Sequence, residues 1–200
     1  MALWLCACAT ARVKQMPQTV RELKRVDFFV AGKTQAAFKI TGFMDGLQTD
    51  GVLTLKKLDE QDVEVVLLMA GLYKVLHALV SPEGVAYRYL FKDVDNALVR
   101  GRITQLLDLL ANLPSEYTGV STKQGQTRVF YKGPRAKEIF VYEAGSTYPA
   151  AARTVTTLNS ADLTYADYMP ISADGEESVP HTLVYQDGNI RLEMSLISLR

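Results

Sequence analysis

Apolar and polar positions alternate along much of this chain, and its most apolar stretch beyond the N-terminus runs from Val63 to Val80. That stretch reads Val-Glu-Val-Val-Leu-Leu-Met-Ala-Gly-Leu-Tyr-Lys-Val-Leu-His-Ala-Leu-Val. It is nearly long enough for a membrane helix, but Glu64, Lys74 and His77 interrupt it, and each is costly in hydrocarbon. Ala70-Gly71 lies near its middle. The pattern predicts two buried strands joined at Ala70–Tyr73, with glycine allowing a sharp backbone path. Leu72 then stands at a connection, where an apolar side chain is unexpected.

Further strands follow on the same grounds. Val26–Ala31, Gln35–Phe43 and Val52–Leu58 are apolar runs, with turns at Asp45-Gly46 and Asp50-Gly51. Ser81-Pro82-Glu83-Gly84 is a turn, and Val85–Phe91 alternates after it. Thr127–Lys132, Glu138–Glu143, Arg153–Leu158, Leu163–Tyr168 and a closing hairpin over Pro180–Leu199 complete the set. In the last strand Ile190, Leu192, Met194 and Leu196 share one face, and Arg191, Glu193 and Ser195 share the other. Short turns between consecutive strands imply an antiparallel meander.

One segment carries a helical period. Ile103, Leu106, Leu107, Leu110 and Leu113 form an apolar stripe over Arg102–Leu113, and Pro114 ends it. Lys92–Asn96 before it is a charged loop, and Ser115–Gln126 after it reads as polar loop. About ten strands in one sheet must curl or close. The fold class is therefore mainly β (α+β). A curved antiparallel sheet forms an incomplete β-barrel, with a helical lid over an apolar cavity. Ile103, Leu106, Leu107 and Leu110 of the lid, with Met69, Leu192 and Met194 of the strands, are the cavity candidates.

Composition narrows the function. The 22 Lys and Arg balance 22 Asp and Glu, so nothing electrostatic favours a nucleic acid partner. Ala31-Gly32-Lys33-Thr34 resembles the end of a phosphate loop, but position 27 is Asp where the motif needs glycine. Asp93, Asp95 and Asn96 lack the glycine and distal glutamate of a calcium loop. His77 and His181 are the only histidines, and no Gly-x-Ser-x-Gly elbow occurs. We expect no enzyme, no metal and no cofactor.

Both cysteines, Cys6 and Cys8, lie in the first ten residues. Such a pair is either incidental thiols, a metal-ligand spacing without further ligands nearby, or a lipoprotein signal. Leu5-Cys6-Ala7-Cys8 resembles a bacterial lipobox, with leucine at −3, a small residue at −1 and Cys8 as the lipidated residue. Met1–Ala7 holds no basic residue, so this reading expects further signal sequence ahead of it. The organisation is then a partial lipobox at 1–8, a tether at 9–25 with a short helical turn near Arg21–Arg25, and one β-domain at 26–200.

The order of lipobox, tether, antiparallel strands, mid-chain helix and further strands resembles the LolA/LolB outer-membrane lipoprotein-localisation family. Two stretches carry the resemblance: Leu53–Phe91, especially Val66-Leu67-Leu68-Met69-Ala70-Gly71-Leu72, and Leu163–Leu199, with a tyrosine-containing strand, a Gly175…Pro180 loop and a final hairpin. The resemblance implies a LolB-like lipoprotein, a monomer on the periplasmic face of the outer membrane of a Gram-negative bacterium. It would be held there by its lipid anchor and would bind acyl chains or a lipidated protein in a hydrophobic cavity. It also implies that Leu72 is a membrane-probing tip, whereas the residue by itself reads equally as a buried plug. Ala70-Gly71 replaces the receptor's Asn-Pro before that leucine, and Trp4 is the only tryptophan. The alternative is a structural or interaction lipoprotein that shares the scaffold, with a filled cavity and no transfer role.

Overall fold

A computed structural model of the chain describes residues 16–44, 47–69, 73–172 and 175–200. After the helical turn α1 (Gln18–Arg21), β1 (Gln35–Met44), β2 (Leu47–Lys57), β3 (Val63–Met69), β4 (Tyr73–Val80) and β5 (Val85–Leu90) run side by side in chain order. Helix α2 (Ala97–Ala111) follows. A second meander comes next: β6 (Glu116–Lys123), β7 (Gln126–Lys132), β8 (Lys137–Tyr142), β9 (Ala151–Val155), β10 (Ser160–Pro170), β11 (Ser178–Asp187) and β12 (Ile190–Leu199). β12 returns to pair with β1, Ile40 opposite Met194 and Phe38 opposite Leu196. The result is one antiparallel sheet of twelve strands, in which β5 and β6 are the edges.

The contacts of α2 show that this sheet is curled. The helix packs against β4, β9 and β10. β4 and β9 are seven places apart in the sheet, which is about 34 Å in a flat sheet at ~4.8 Å per strand. A helix is only about 10–12 Å across, so it touches both strands only because the sheet wraps around it. The barrel stays incomplete, since β5 and β6 do not pair.

The inner face is apolar in rows set by the register. Leu76, Leu67, Leu53, Phe38 and Leu196 make one row. Ile40, Met194, Leu183 and Tyr165 make another. Leu192, Tyr185, Leu163, Ala152, Phe140 and Val129 make a third. Residues Gln105 to Ala111 of α2 are all buried. Seven consecutive positions go nearly twice around a helix, so this half of α2 is enclosed on every side, as a core helix is.

Four local expectations are corrected by tertiary structure. Val26–Ala31 is irregular rather than a strand; Asp27 accepts the Phe29 amide in a turn, while Val26 and Phe28 still reach the core. Asp50-Gly51 lies inside β2 and is not a turn. A side chain at Gly51 would come 2.5 Å from the Leu68 carbonyl oxygen and 2.9 Å from Met69 Sδ, so this glycine serves close strand approach. Ser115–Gln126 is mostly β6, an edge strand of polar residues. It turns into β7 through Gln124-Gly125, both with positive φ (53° and 80°), as a two-residue hairpin requires. Arg153–Leu158 shortens to β9, which leaves Leu158 on a turn and 94% exposed.

Candidate functional site

The interior around α2 is the site that the fold assembles. The helix starts at Ala97, earlier than the stripe implies, because the Asn96 side chain accepts the Val99 amide at 3.0 Å. Asp95 pairs with Arg100, which holds its carboxyl below its usual range. Two of the three residues weighed as calcium ligands are thus a helix cap and an ion pair.

Leu106, Leu107, Leu110 and Met194 come together in the core, and the last three are each 1% exposed. Ile103 and Leu192 are half-buried against that cluster. Met69 is half-buried and lies opposite Gly51 and Tyr73 at the far end of β3. Leu72 and Cys8 lie outside the described residues.

Polar ties surround the helix. The Tyr87 hydroxyl lies 2.9 Å from both the Arg100 carbonyl and the Thr104 hydroxyl. The Tyr185 hydroxyl donates to the Arg102 carbonyl at 3.2 Å, and Arg102 pairs with Asp187 at 3.2 Å. Gln105 Nε2 donates to Asn159 Oδ1 at 3.0 Å. Asp108 pairs with Arg135 of the β7–β8 turn, and Arg135 Nη1 also donates to the Ser81 carbonyl at 2.8 Å. These ties reach both halves of the sheet.

Sequence inspection misses a second polar cluster. Glu138 is buried beside Arg25, which donates to it at 3.3 Å and to Ser115 at 2.6 Å. The Arg25 guanidinium also covers the rings of Phe140 and Tyr131, at 4.8 and 5.4 Å. Burial pushes the Glu138 and Asp108 carboxyls up, against the pull of Arg25 and Arg135. Nothing in the spacing of Arg25, Asp108, Arg135 and Glu138 pairs them; only the curl does. The Tyr165 hydroxyl and Thr154 Oγ1 are buried on the inner face without a hydrogen-bond partner.

Two hollows lie away from the stripe. One, of about 570 Å³, is lined by the β7–β8 turn and the end of β9; the other, of about 500 Å³, lies between α1 and the turn after β8. Among the described residues no group of three or more His, Cys, Asp or Glu side chains is arranged to hold a metal ion. His77 Nε2 instead lies 2.9 Å from Glu64 Oε1, and Arg88 pairs with the same oxygen. No described helix is long and apolar enough to cross a membrane.

No family model matches the chain, and no curated protein matches it. Solved structures do. A LolA superfamily protein from Nitrosomonas europaea superposes with a TM-score of 0.56 at 9% identity, over 84% of this chain and 85% of that one. A DUF1329 family protein from Desulfovibrio piger gives 0.50 at 10% identity, over 86% and 87%. A further match, with a TM-score of 0.48, is a putative outer membrane lipoprotein-sorting protein domain from Vibrio parahaemolyticus, at 11% identity over 84% and 85%. At these identities the likeness concerns the fold. Sheet order, open edges and enclosed helix, together with the superposition on the LolA superfamily structure, establish that the chain has a LolA-like fold, as the resemblance of its sequence implies.

Proposed function

We propose that this chain is a non-enzymatic lipoprotein domain that takes up acyl chains, free or carried by a lipidated protein, between the inner sheet face and α2. Cys8 anchors it to the periplasmic face of the outer membrane of a Gram-negative bacterium, where a monomer would act in lipoprotein localisation. Ile103, Leu192 and Met69, which are only half-buried, offer the first contacts, and Leu72 is the membrane-probing tip. No cofactor takes part.

One observation carries this reading: among the apolar rows of the inner face, the Tyr165 hydroxyl is buried without a partner. An unpaired buried hydroxyl costs about 1–3 kcal/mol. The ester or amide carbonyl of an acyl chain is an acceptor that would relieve it. The side chains of α2 already fill the space, so uptake requires α2 to move outward between the edges β5 and β6.

A lock on α2 tests this. In the variant Gln105→Cys with Asn159→Cys, a bis-methanethiosulfonate linker, which replaces the length of the two lost side chains, ties the helix to the β9–β10 turn through reducible disulfides in the oxidised variant. The wild type should bind a fluorescent fatty acid, the oxidised variant should not, and reductant should restore binding. Equal binding by the oxidised and reduced variant overturns uptake through helix movement.

A second reading keeps the scaffold without transfer, as a structural or interaction lipoprotein. It is favoured by the 1% exposure of Leu107, Leu110 and Met194, since small barrels are often packed solid. Absence of fatty-acid binding by the wild type selects it.

A further inference from the structure

The edge strand β6 carries opposite charges at its two ends, Glu116 and Lys123. Between them Tyr117-Thr118-Gly119-Val120-Ser121-Thr122 holds no charge and no proline, the residues that usually guard an edge against pairing. Six of its eight residues are exposed, Val120 among them at 37%. A bulge decides which face each end presents. Tyr117 lies opposite Tyr131 and Gly119 opposite Phe130, so Thr118 is the extra residue. Its hydroxyl donates to the Phe130 carbonyl at 3.0 Å, which ties the bulge to β7.

Beyond the bulge Glu116 lies opposite Lys132, and at the other end Lys123 lies opposite Gln126. Lys132 and Gln126 share the outer face of β7, because Val129 and Tyr131 between them are buried on the inner one. Both charged ends of β6 therefore stand on the outer face. Without the extra residue they would stand on opposite faces. A second copy of β6, laid antiparallel on this edge about a two-fold axis through Val120, then matches it position by position. Val120 meets Val120 of the copy, Gly119 meets Ser121, Tyr117 meets Thr122, and Glu116 meets Lys123. The members of each pair lie on one face, since Tyr117, Val120 and Thr122 are opposite inner residues of β7 and the others are opposite outer ones. The two bulges fall at equivalent places. Opposite charges directly across a strand pair are stabilising. The other edge has no such match, since β5 carries Arg88 and no carboxylate.

We propose that β6 is a pairing edge for a second copy of this chain, joining two sheets into one across a two-fold axis at Val120. The pairing uses the sheet edge and does not depend on acyl-chain uptake in the interior. A single strand pair is a small interface, and small interfaces are weak. The chain is therefore a monomer when dilute, which leaves the acting unit of the proposed function unchanged, and it pairs when concentrated.

Sedimentation equilibrium of the full chain over a rising concentration series tests this. The wild type should pass from monomer to dimer. Glu116→Lys and Lys123→Glu each turn two attractive contacts into two repulsive ones, and each should weaken the dimer at least about fivefold. Mixed in equal amounts, the two variants should dimerise as the wild type does, because each supplies the charges that the other lacks. Cross-linking checks the register. In the background Cys6→Ser with Cys8→Ser, Val120→Cys should give a disulfide-linked dimer on mild oxidation, since the residue on the axis meets itself within bridging distance. Ser121→Cys in the same background should not, since it meets Gly119. A wild type that stays monomeric at every concentration overturns the proposal and leaves the edge to a different extended chain. Single charge variants that dimerise like the wild type overturn it too, as does a mixture that stays monomeric or equal cross-linking of the two cysteine variants.

Discussion

Arg135 on the β7–β8 turn closes on Asp108 of the enclosed helix, with its Nε 3.1 and 3.0 Å from the two carboxylate oxygens. The same guanidinium donates to the carbonyl of Ser81, on the β4–β5 turn. One side chain thus ties together the helix and both halves of the sheet. Replacing Asp108 with Ala should destabilise the fold by about 3 kcal/mol. That is the lower end for breaking a buried pair, because Arg135 keeps its bond to Ser81 and some contact with water. Urea unfolding checks it; a change under about 1 kcal/mol would mean that the pair adds nothing net.

Glu138 should make stability depend on pH in a stated direction. Burial raises its folded pKa above the ordinary 4.5. The folded protein therefore holds the proton more tightly than the unfolded chain, and stability falls as pH rises from 4.5 through the raised value. Glu138→Gln mimics the protonated form. Its melting temperature relative to wild type should climb over that pH range. A constant difference between the two across the range would contradict the shift.

Gly133 packs where a side chain has no room. A Cβ there would overlap Glu138 Oε1 and lie 3.1 Å from the Ala136 carbonyl oxygen. Glu138 is held by Arg25 and has little freedom to yield. Gly133→Ala should cost about 1–3 kcal/mol, as overpacking does. If its Tm matches wild type, the turn relaxes more easily than its contacts indicate.

Leu110, 1% exposed, packs in the core between α2 and the sheet. Leu110→Ala should cost about 2–5 kcal/mol and leave a void next to the proposed acyl path. Under the uptake reading this variant binds the fluorescent fatty acid more tightly than wild type. If it is destabilised without any change in binding, the acyl chain lies elsewhere.

Cys8 and Leu72 are tested together. Expressed behind a complete signal peptide, membrane-extracted protein should carry an acyl adduct on Cys8 by mass spectrometry. Unmodified Cys8 would remove the anchor. Fully burying a leucine is worth about 1.5–3 kcal/mol, so Leu72→Glu separates two roles. A membrane tip keeps its melting temperature and loses transfer of lipidated cargo to liposomes. A buried plug melts early.

The alternation of side chains determined much of this protein without help from tertiary structure. Val63–Val80 reads as two strands because β-branched and leucine runs broken by a glycine are local signals, and the structure has β3 and β4 there. The stripe Ile103–Leu113 identifies the helix for the same reason, and the short turn Ser81–Gly84 makes its two strands antiparallel. Tertiary structure decided the rest. Gly51 mimics a turn residue in sequence, yet it sits mid-strand because β3 approaches it closely. β6 reads as loop because an edge strand needs no apolar face; its partner β7 makes it a strand. Above all, the curl of the sheet brings Arg135 to Asp108 and Arg25 to Glu138. Those residues are far apart in sequence, and periodicity carries no information about distance through space.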